Sequence, residues 1–283
     1  MKFTRISEDQ RKFFDQNGYL VVPEALDADM LARVTDACDQ VVERKYLETG
    51  KRRASLANVL PENEVFLELL KWETTLPLVV QLLSFNLRLA KSHIIYKYPD
   101  GANEVPSRNW HRDFMESPFD LGPHRYPRVL IKVVYQLSDT TTKSSGNTLI
   151  LPKSNNLTRK LEIPEDQTDP TGAVALELRA GDAYLFESRT FHSIGENCTS
   201  IPRKCLMMGY SYGWISPLDY DLQPQWLLDK VSDPIARQLV GADKDKESRV
   251  KPDALEAWTE KHGVKRASEV EYDRLTKNSG NDT

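Results

Sequence analysis

After Phe85 the chain breaks into short apolar runs rich in β-branched and aromatic residues: LRLAKSHIIYKYP, RVLIKVVYQLSDT, NTLILP, AVALELRAGDAYLF and RKCLMMGYSYGW. Gly, Pro, Asn, Asp and Ser separate them, the residues that turn a chain back on itself. One such strand cannot bury its own face. Several antiparallel strands in succession can do so by forming two packed sheets. The pattern predicts a mostly β protein with helical support, in which a double-stranded β-helix (a cupin-like jelly roll) occupies residues 85–215.

The flanks read as N-terminal and C-terminal helices. Residues 1–84 are mainly helical support. Ser7 with Gln10 resembles a capping box, and Asn17-Gly18 closes that helix. The short strand YLVVP follows. Between Asp27 and Gly50, Met30, Leu31, Val34, Cys38, Val41 and Val42 recur at helical spacing. Shorter helical runs fall at 63–71 and 75–84. Residues 216–283 read as C-terminal helices and tail, with a helix over 223–240 and a weaker pattern over 252–277. Neither a repeat nor a low-complexity linker divides the chain, which predicts a single domain over 1–283.

Composition narrows the partners. A formal net charge of −4 gives no reason to expect nucleic acid or an anionic membrane. No apolar run approaches the roughly 18 residues that span a bilayer, and MKFTRISEDQ lacks the apolar core of a signal peptide. Cys38, Cys198 and Cys205 are odd in number and show no CxxC spacing. That argues against a disulfide framework or zinc ribbon and fits a reducing compartment. The expectation is a cytoplasmic monomer or homodimer that acts on a small molecule. Cys198 reads as a turn residue and Cys205 as a core residue.

The chemistry starts at SRNWHRDF, residues 107–114. Residues i and i+2 of a strand share a face, so His111 and Asp113 can offer an imidazole nitrogen and a carboxylate oxygen to one metal. A third ligand completes the two-His-one-carboxylate set of non-haem iron, which leaves positions open for co-substrate and O2. The candidate is His192, which ends a β run launched by the Gly181-Asp182 turn. GENCTSIP then leads to a strand beginning near Arg203, which predicts His192 and Arg203 side by side on adjacent antiparallel strands. Arginine suits an oxoacid co-substrate because its planar fork grips a carboxylate and stays charged when buried.

Over most of its length the sequence resembles the phytanoyl-CoA dioxygenase family of Fe(II)/2-oxoglutarate oxygenases. The blocks that carry the resemblance are SEDQRKFFDQNGYLVVPEAL, IIYKYPD with WHRDF, SDTTTKSSGNTLILPKSNN and GDAYLFESRTFHSIGENCTSIPRK. The resemblance implies that His111, Asp113 and His192 bind Fe(II) and that Arg203, eleven positions after His192, anchors 2-oxoglutarate. It also implies that Thr148 touches the oxoacid and that O2 is consumed. Three departures stand out: Ile194 where many relatives carry Ser, Arg108 where many carry Gln, and PKSN where many carry PGSH. Lys97, Asn109 and Ser211 are the residues available to replace lost oxoacid contacts.

The expected reaction is hydroxylation of an unactivated C–H bond of a small polar or anionic metabolite, with release of succinate and CO2. An amino acid, a phosphonate or a secondary-metabolite intermediate would fit. Desaturation, ring closure or demethylation can use the same site, whereas Asp113 speaks against halogenation, for which the family replaces the carboxylate. Two readings of another class stand beside this one: a cupin-like metal hydrolase or isomerase, and a non-catalytic metal-binding jelly roll. Basic side chains outnumber acidic ones over residues 91–132, which reads either as solvated surface or as a cationic rim for an anion. Arg108, Phe114, His124 and Lys132 are the candidate substrate contacts, and FMESPFDLGPHRYP reads as a lid. His93, His124 and His262 show no partner pattern and default to the surface.

Overall fold

The computed structural model describes residues 3–101, 108–114, 127–243, 250–264 and 270. Helix α1 (Glu8–Asn17) opens on the expected capping box, in which Ser7 and Gln10 each bond the other's backbone. It ends at Gly18, whose φ of 78° lies in the left-handed region. Any side chain at Gly18 would collide with Thr190 Oγ1, 2.1 Å from the added Cβ. That hydroxyl instead donates to the Gly18 carbonyl at 2.9 Å. Strand β1 (Tyr19–Val22) and helix α2 (Ala28–Thr49) follow, the latter capped by Asp27 and stopped by Gly50. Next come β2 (Ser55–Ala57) and the short helices α3 (Val65–Leu69) and α4 (Leu76–Leu82).

The β region comprises β3 (Leu87–Lys97), β4 (Leu130–Gln136), β5 (Thr148–Ile150), β6 (Val174–Ala175), β7 (Ala183–Glu187), β8 (His192–Ile194) and β9 (Arg203–Tyr212). Where one helix was expected over 223–240, the chain forms α5 (Gln225–Lys230) and α6 (Pro234–Val240). Pro234 is the cause: it has no N–H to continue a helix but fits a first turn, and Asp233 caps the new start by accepting from Ala236 N. Helix α7 (Asp253–Lys261) occupies the first part of the pattern expected over 252–277. Residues 115–126, which hold most of the expected lid and His124, lie outside the described residues. Among the described residues, no helix is long and apolar enough to cross a membrane.

Two antiparallel sheets form the expected jelly roll. One has the order β1-β7-β4-β9-β3-β2 and the other β6-β5-β8. The larger sheet is buried on both faces, and its two-residue period sorts the side chains. Val133, Tyr135, Leu206, Met208 and Tyr210 join the core shared with Phe14, Val34 and Leu69 of the helices. Val134, Tyr184, Phe186, Cys205 and Met207 face the other way, into a second apolar cluster. Strand β4, LIKVVYQ, is buried throughout, so its single charge, Lys132, is held inside the fold. The candidate site sits on this second face.

Candidate active site

His111 and His192 are locked together by reciprocal backbone hydrogen bonds. His111 N donates to His192 O at 3.1 Å and His192 N to His111 O at 2.9 Å. The HRD segment thus docks as a bridge against β8, whose other edge pairs with β5. Asp113 N donates to Ser188 O at 2.9 Å, which ties the carboxylate to the same turn. Each imidazole Nδ1 donates to a carbonyl, His111 to Asn109 O at 2.7 Å and His192 to Thr190 O at 3.0 Å. Since a carbonyl can only accept, Nδ1 is the donor on each ring and Nε2 is the nitrogen turned to a metal, the usual way protein orients a metal-binding histidine.

One ligand atom from each of His111, Asp113 and His192 lies within 4.8 Å of the others. Asp113 Oδ1 accepts from Lys132 Nζ at 2.7 Å, while Oδ2 is buried with no hydrogen-bond partner. A buried carboxylate oxygen without a partner is costly. Two bare imidazole nitrogens beside it make a donor set that fits a divalent cation such as iron(II). Electrostatics keeps the set ready. Burial pushes His192 down to about 3, with Lys132 acting in the same direction, so the ring is neutral. Burial acts to raise the Asp113 carboxyl, but Lys132 and other cations outweigh it and hold it below the usual carboxylate range.

Arg203, the first residue of β9, is 3% exposed. Its Nη2 donates to Thr148 Oγ1 at 2.7 Å and to the Tyr184 hydroxyl at 3.2 Å, and those two hydroxyls are 2.6 Å apart. Its Nε is buried without a partner. Among the described residues no carboxylate pairs with this guanidinium. A buried cation with neutral neighbours alone is a poor arrangement until an anion arrives. The candidate metal-binding set and Arg203 line one cavity of about 310 Å³.

His192 and Arg203 are not on adjacent strands, contrary to the expectation from the turn between them. Strand β8 belongs to the three-stranded sheet and β9 to the six-stranded one, so the two residues meet across the cavity. GENCTSIP carries the chain from one sheet to the other. Asn197 braces that crossing, donating from Nδ2 to the carbonyls of Lys97 and Ile201.

Thr148 and Asn109 line the cavity as expected, Asn109 also orienting His111 through its carbonyl. Lys97 does not: it lies opposite Arg203 in the sheet, but its ammonium is drawn to Asp100. Ser211 stands eight residues along β9 from Arg203, roughly 26 Å away along an extended strand, and takes no part in the site. Arg108 is held by Asp169, with Nε 3.0 Å from Oδ1, and lines a neighbouring cavity instead. Phe114, at a φ of 55°, is not part of the wall. Lys132 lines the cavity but is committed to Asp113. His93, expected at the surface, is a correction: it is half-buried in the cavity wall, with Nε2 2.9 Å from Asp219 Oδ2. Tyr184 and Lys91 are wall residues that the sequence reading missed. Tyr184 sits in an apolar run where any aromatic reads as core. Lys91, by contrast, had a usable signal, a charge at the same strand parity as His93 and Ile95.

The sequence model of the phytanoyl-CoA dioxygenase (PhyH) family matches residues 14–205. A probable alpha-ketoglutarate-dependent hypophosphite dioxygenase of Stutzerimonas stutzeri is 25% identical over 242 residues, which cover 75% of this chain and 80% of that protein. Among solved structures, HygX from Streptomyces hygroscopicus, with nickel and 2-oxoglutarate bound, superposes with a TM-score of 0.59 at 16% identity, over 75% of this chain and 88% of that one. SnoK, the non-heme alpha ketoglutarate dependent carbocyclase from nogalamycin biosynthesis, gives a TM-score of 0.56 at 18% identity, over 74% and 85% of the two chains. The family match extends from the first helix to the strand that carries Arg203, and on it the chain belongs to the phytanoyl-CoA dioxygenase family of Fe(II)/2-oxoglutarate-dependent oxygenases.

Proposed function

We propose that this chain is an oxygenase that hydroxylates an unactivated C–H bond of a small polar or anionic metabolite, with Fe(II) held by His111, Asp113 and His192 and 2-oxoglutarate anchored by Arg203. When bound, iron(II) supplies the activation of O2, coupled to decarboxylation of the oxoacid to succinate and CO2. The chain supplies the rest. Both histidines are oriented by their Nδ1 hydrogen bonds, and Lys132 orients Asp113 through one oxygen while leaving the other free. Arg203, with the Thr148 and Tyr184 hydroxyls, offers a buried cationic seat for the oxoacid's far carboxylate. Ile95, Val134, Phe186 and Met207 give the cavity apolar walls that keep bulk water from the reacting atoms.

The observation that carries this reading is a pair of buried polar atoms without partners, Asp113 Oδ2 and Arg203 Nε, in one cavity. The first calls for a cation and the second for an anion. The relative named for hypophosphite supports a small anionic substrate. Ring closure is the second reading, because a carbocyclase shares the fold; the two differ in whether the product gains an oxygen atom. The test is direct. Iron(II)-loaded protein given 2-oxoglutarate without air should show a weak visible charge-transfer band and then release succinate when air is admitted. Absence of both would overturn the oxygenase reading in favour of a hydrolase, an isomerase or a metal-binding protein without activity.

A further inference from the structure

Four residues stand in one row across the floor of the cavity. Lys91 on β3 lies opposite Gly209 on β9, Gly209 opposite Lys132 on β4, and Lys132 opposite Phe186 on β7. Gly209 is the gap in that row. A Cβ added there would lie 2.5 Å from Lys91 Cγ and 3.1 Å from its Cδ. The stem of Lys91 therefore lies over the glycine, across β9 towards Lys132, rather than out along its own strand.

The two lysines differ in their commitments. Lys132 Nζ is bonded to Asp113. Lys91 lines the same cavity, yet among the described residues no carboxylate stands within ion-pair distance of it. Asp219, the other acidic group within its electrostatic reach, already accepts from His93 Nε2 at 3.1 Å and from Ser92 N at 2.9 Å. Lys91 and Arg203 also enter the cavity from separate places: Gly209 is six residues along β9 from Arg203, roughly 20 Å of extended strand. Among the described residues the cavity thus holds one cation for the oxoacid, one for Asp113, and a third, Lys91, that faces no carboxylate.

We propose that Lys91 binds the substrate, and that the substrate carries an oxyanion, either a carboxylate or a phospho-oxyanion, which docks on this ammonium beside the metal-binding set. The proposal rests on the oxygenase reading above and adds a substrate class and a specificity residue to it. Gly209 is part of the device, since its missing side chain is what aims Lys91 inward. An ammonium is a compact charge on a flexible stem, so it suits either type of oxyanion.

Calorimetric titration of the manganese(II)-loaded protein, saturated with 2-oxoglutarate, tests this with four probes. Propionate and methylphosphonate are the anions; propionamide and dimethyl methylphosphonate are their neutral counterparts. The anions should bind at least about tenfold more tightly than the neutral compounds, and Lys91→Met should remove that preference while Lys91→Arg keeps it. Gly209→Ala should act like Lys91→Met, because the new Cβ displaces the lysine stem. Binding of 2-oxoglutarate, titrated first, should be the same in wild type and Lys91→Met. Equal binding of anions and neutral probes, no saturable anion binding, or an unchanged preference in Lys91→Met would overturn the proposal. Failure of wild type to bind 2-oxoglutarate in the first titration would instead overturn the oxygenase reading and take this inference with it.

Discussion

Lys132 Nζ stands 2.7 Å from Asp113 Oδ1, with the lysine buried and the carboxylate nearly so. The pair splits the carboxylate's duties, one oxygen to the protein and the other to a guest. Burial lowers the lysine's affinity for its proton, and Asp113 works against that. Replacing Lys132 by Met should strand a buried negative charge. We expect the metal-free protein to lose about 3 kcal/mol of stability in urea unfolding. Manganese(II) should then raise the melting temperature of the variant more than that of wild type, because the ion takes over as the carboxylate's nearest counter-charge. Equal stabilisation of the two by the metal would show that Lys132 does not balance Asp113.

Arg203 should dominate the grip on the oxoacid. Arg203→Ala is expected to weaken 2-oxoglutarate binding by about 2–5 kcal/mol. Thr148→Val and Tyr184→Phe, each removing one neutral hydroxyl beside the guanidinium, should cost about 1 kcal/mol apiece. Titration of the visible band on the iron(II)-loaded protein reads all three variants. Normal oxoacid binding by Arg203→Ala would disprove the anchor.

Asp113→Ala should abolish succinate formation and manganese binding. It also leaves the buried Lys132 ammonium without its carboxylate, which should cost the metal-free protein about 3 kcal/mol of stability while keeping the fold. Circular dichroism checks the fold and calorimetry the metal. A variant that still binds manganese with wild-type affinity would exclude Asp113 as a ligand.

His192 sets an acid limit. In the fold its pKa is pushed to about 3, against 6.5 for a free side chain. Between those values the unfolded chain binds the extra proton and the native one does not, so falling pH favours unfolding. Stability of the metal-free protein should be at its plateau above about pH 6.5 and decline steadily towards pH 3. His192→Gln should flatten that decline in denaturation curves measured across the range. An unchanged slope would assign the acid sensitivity to other groups.

Glu187 offers a contrasting, structural prediction. It is fully buried at the end of β7, where it accepts from Arg128 Nε at 2.6 Å, Arg189 Nε at 3.0 Å and Asn155 Nδ2 at 2.7 Å. Its neighbour Ser188 holds Asp113 through the backbone. Glu187→Ala should cost about 3 kcal/mol of stability by removing the buried carboxylate that accepts from Arg128, Arg189 and Asn155, although Arg128 keeps Asp15. Thermal unfolding measures it; a loss well under 1 kcal/mol would show that this network is solvated in practice.

Much of this was legible in the chain. Ser7, Asp27 and Gly50 act locally, so the ends of α1 and α2 follow from a few neighbouring residues. In β4 and β9 nearly every residue is buried, so the strands were legible but only the structure showed which of their two faces holds the cavity. The three residues of the candidate metal site were legible as well, from the HRD pattern, His192 and the family resemblance, and the structure brings them together. Other assignments failed where position along the chain misleads about position in space. Ser211 shares the strand of Arg203 yet is a whole cavity away, and Lys97 sits opposite Arg203 but pairs with Asp100. The break at Pro234 was legible in principle, since proline removes the bond a continuous helix needs.

The sequence by itself determined most of the elements and, together with the family resemblance, the three metal-binding candidates, because caps, turns and strand runs are local and donor types are read from residue chemistry. Only the tertiary structure decided that His192 and Arg203 lie on different sheets, that Lys132 serves Asp113, and that Lys91, among the described residues, meets no carboxylate within ion-pair distance. Those are questions of pairing. A buried charge is defined by which opposite charge reaches it, and residues far apart in the chain settle that only when the two sheets close over one cavity.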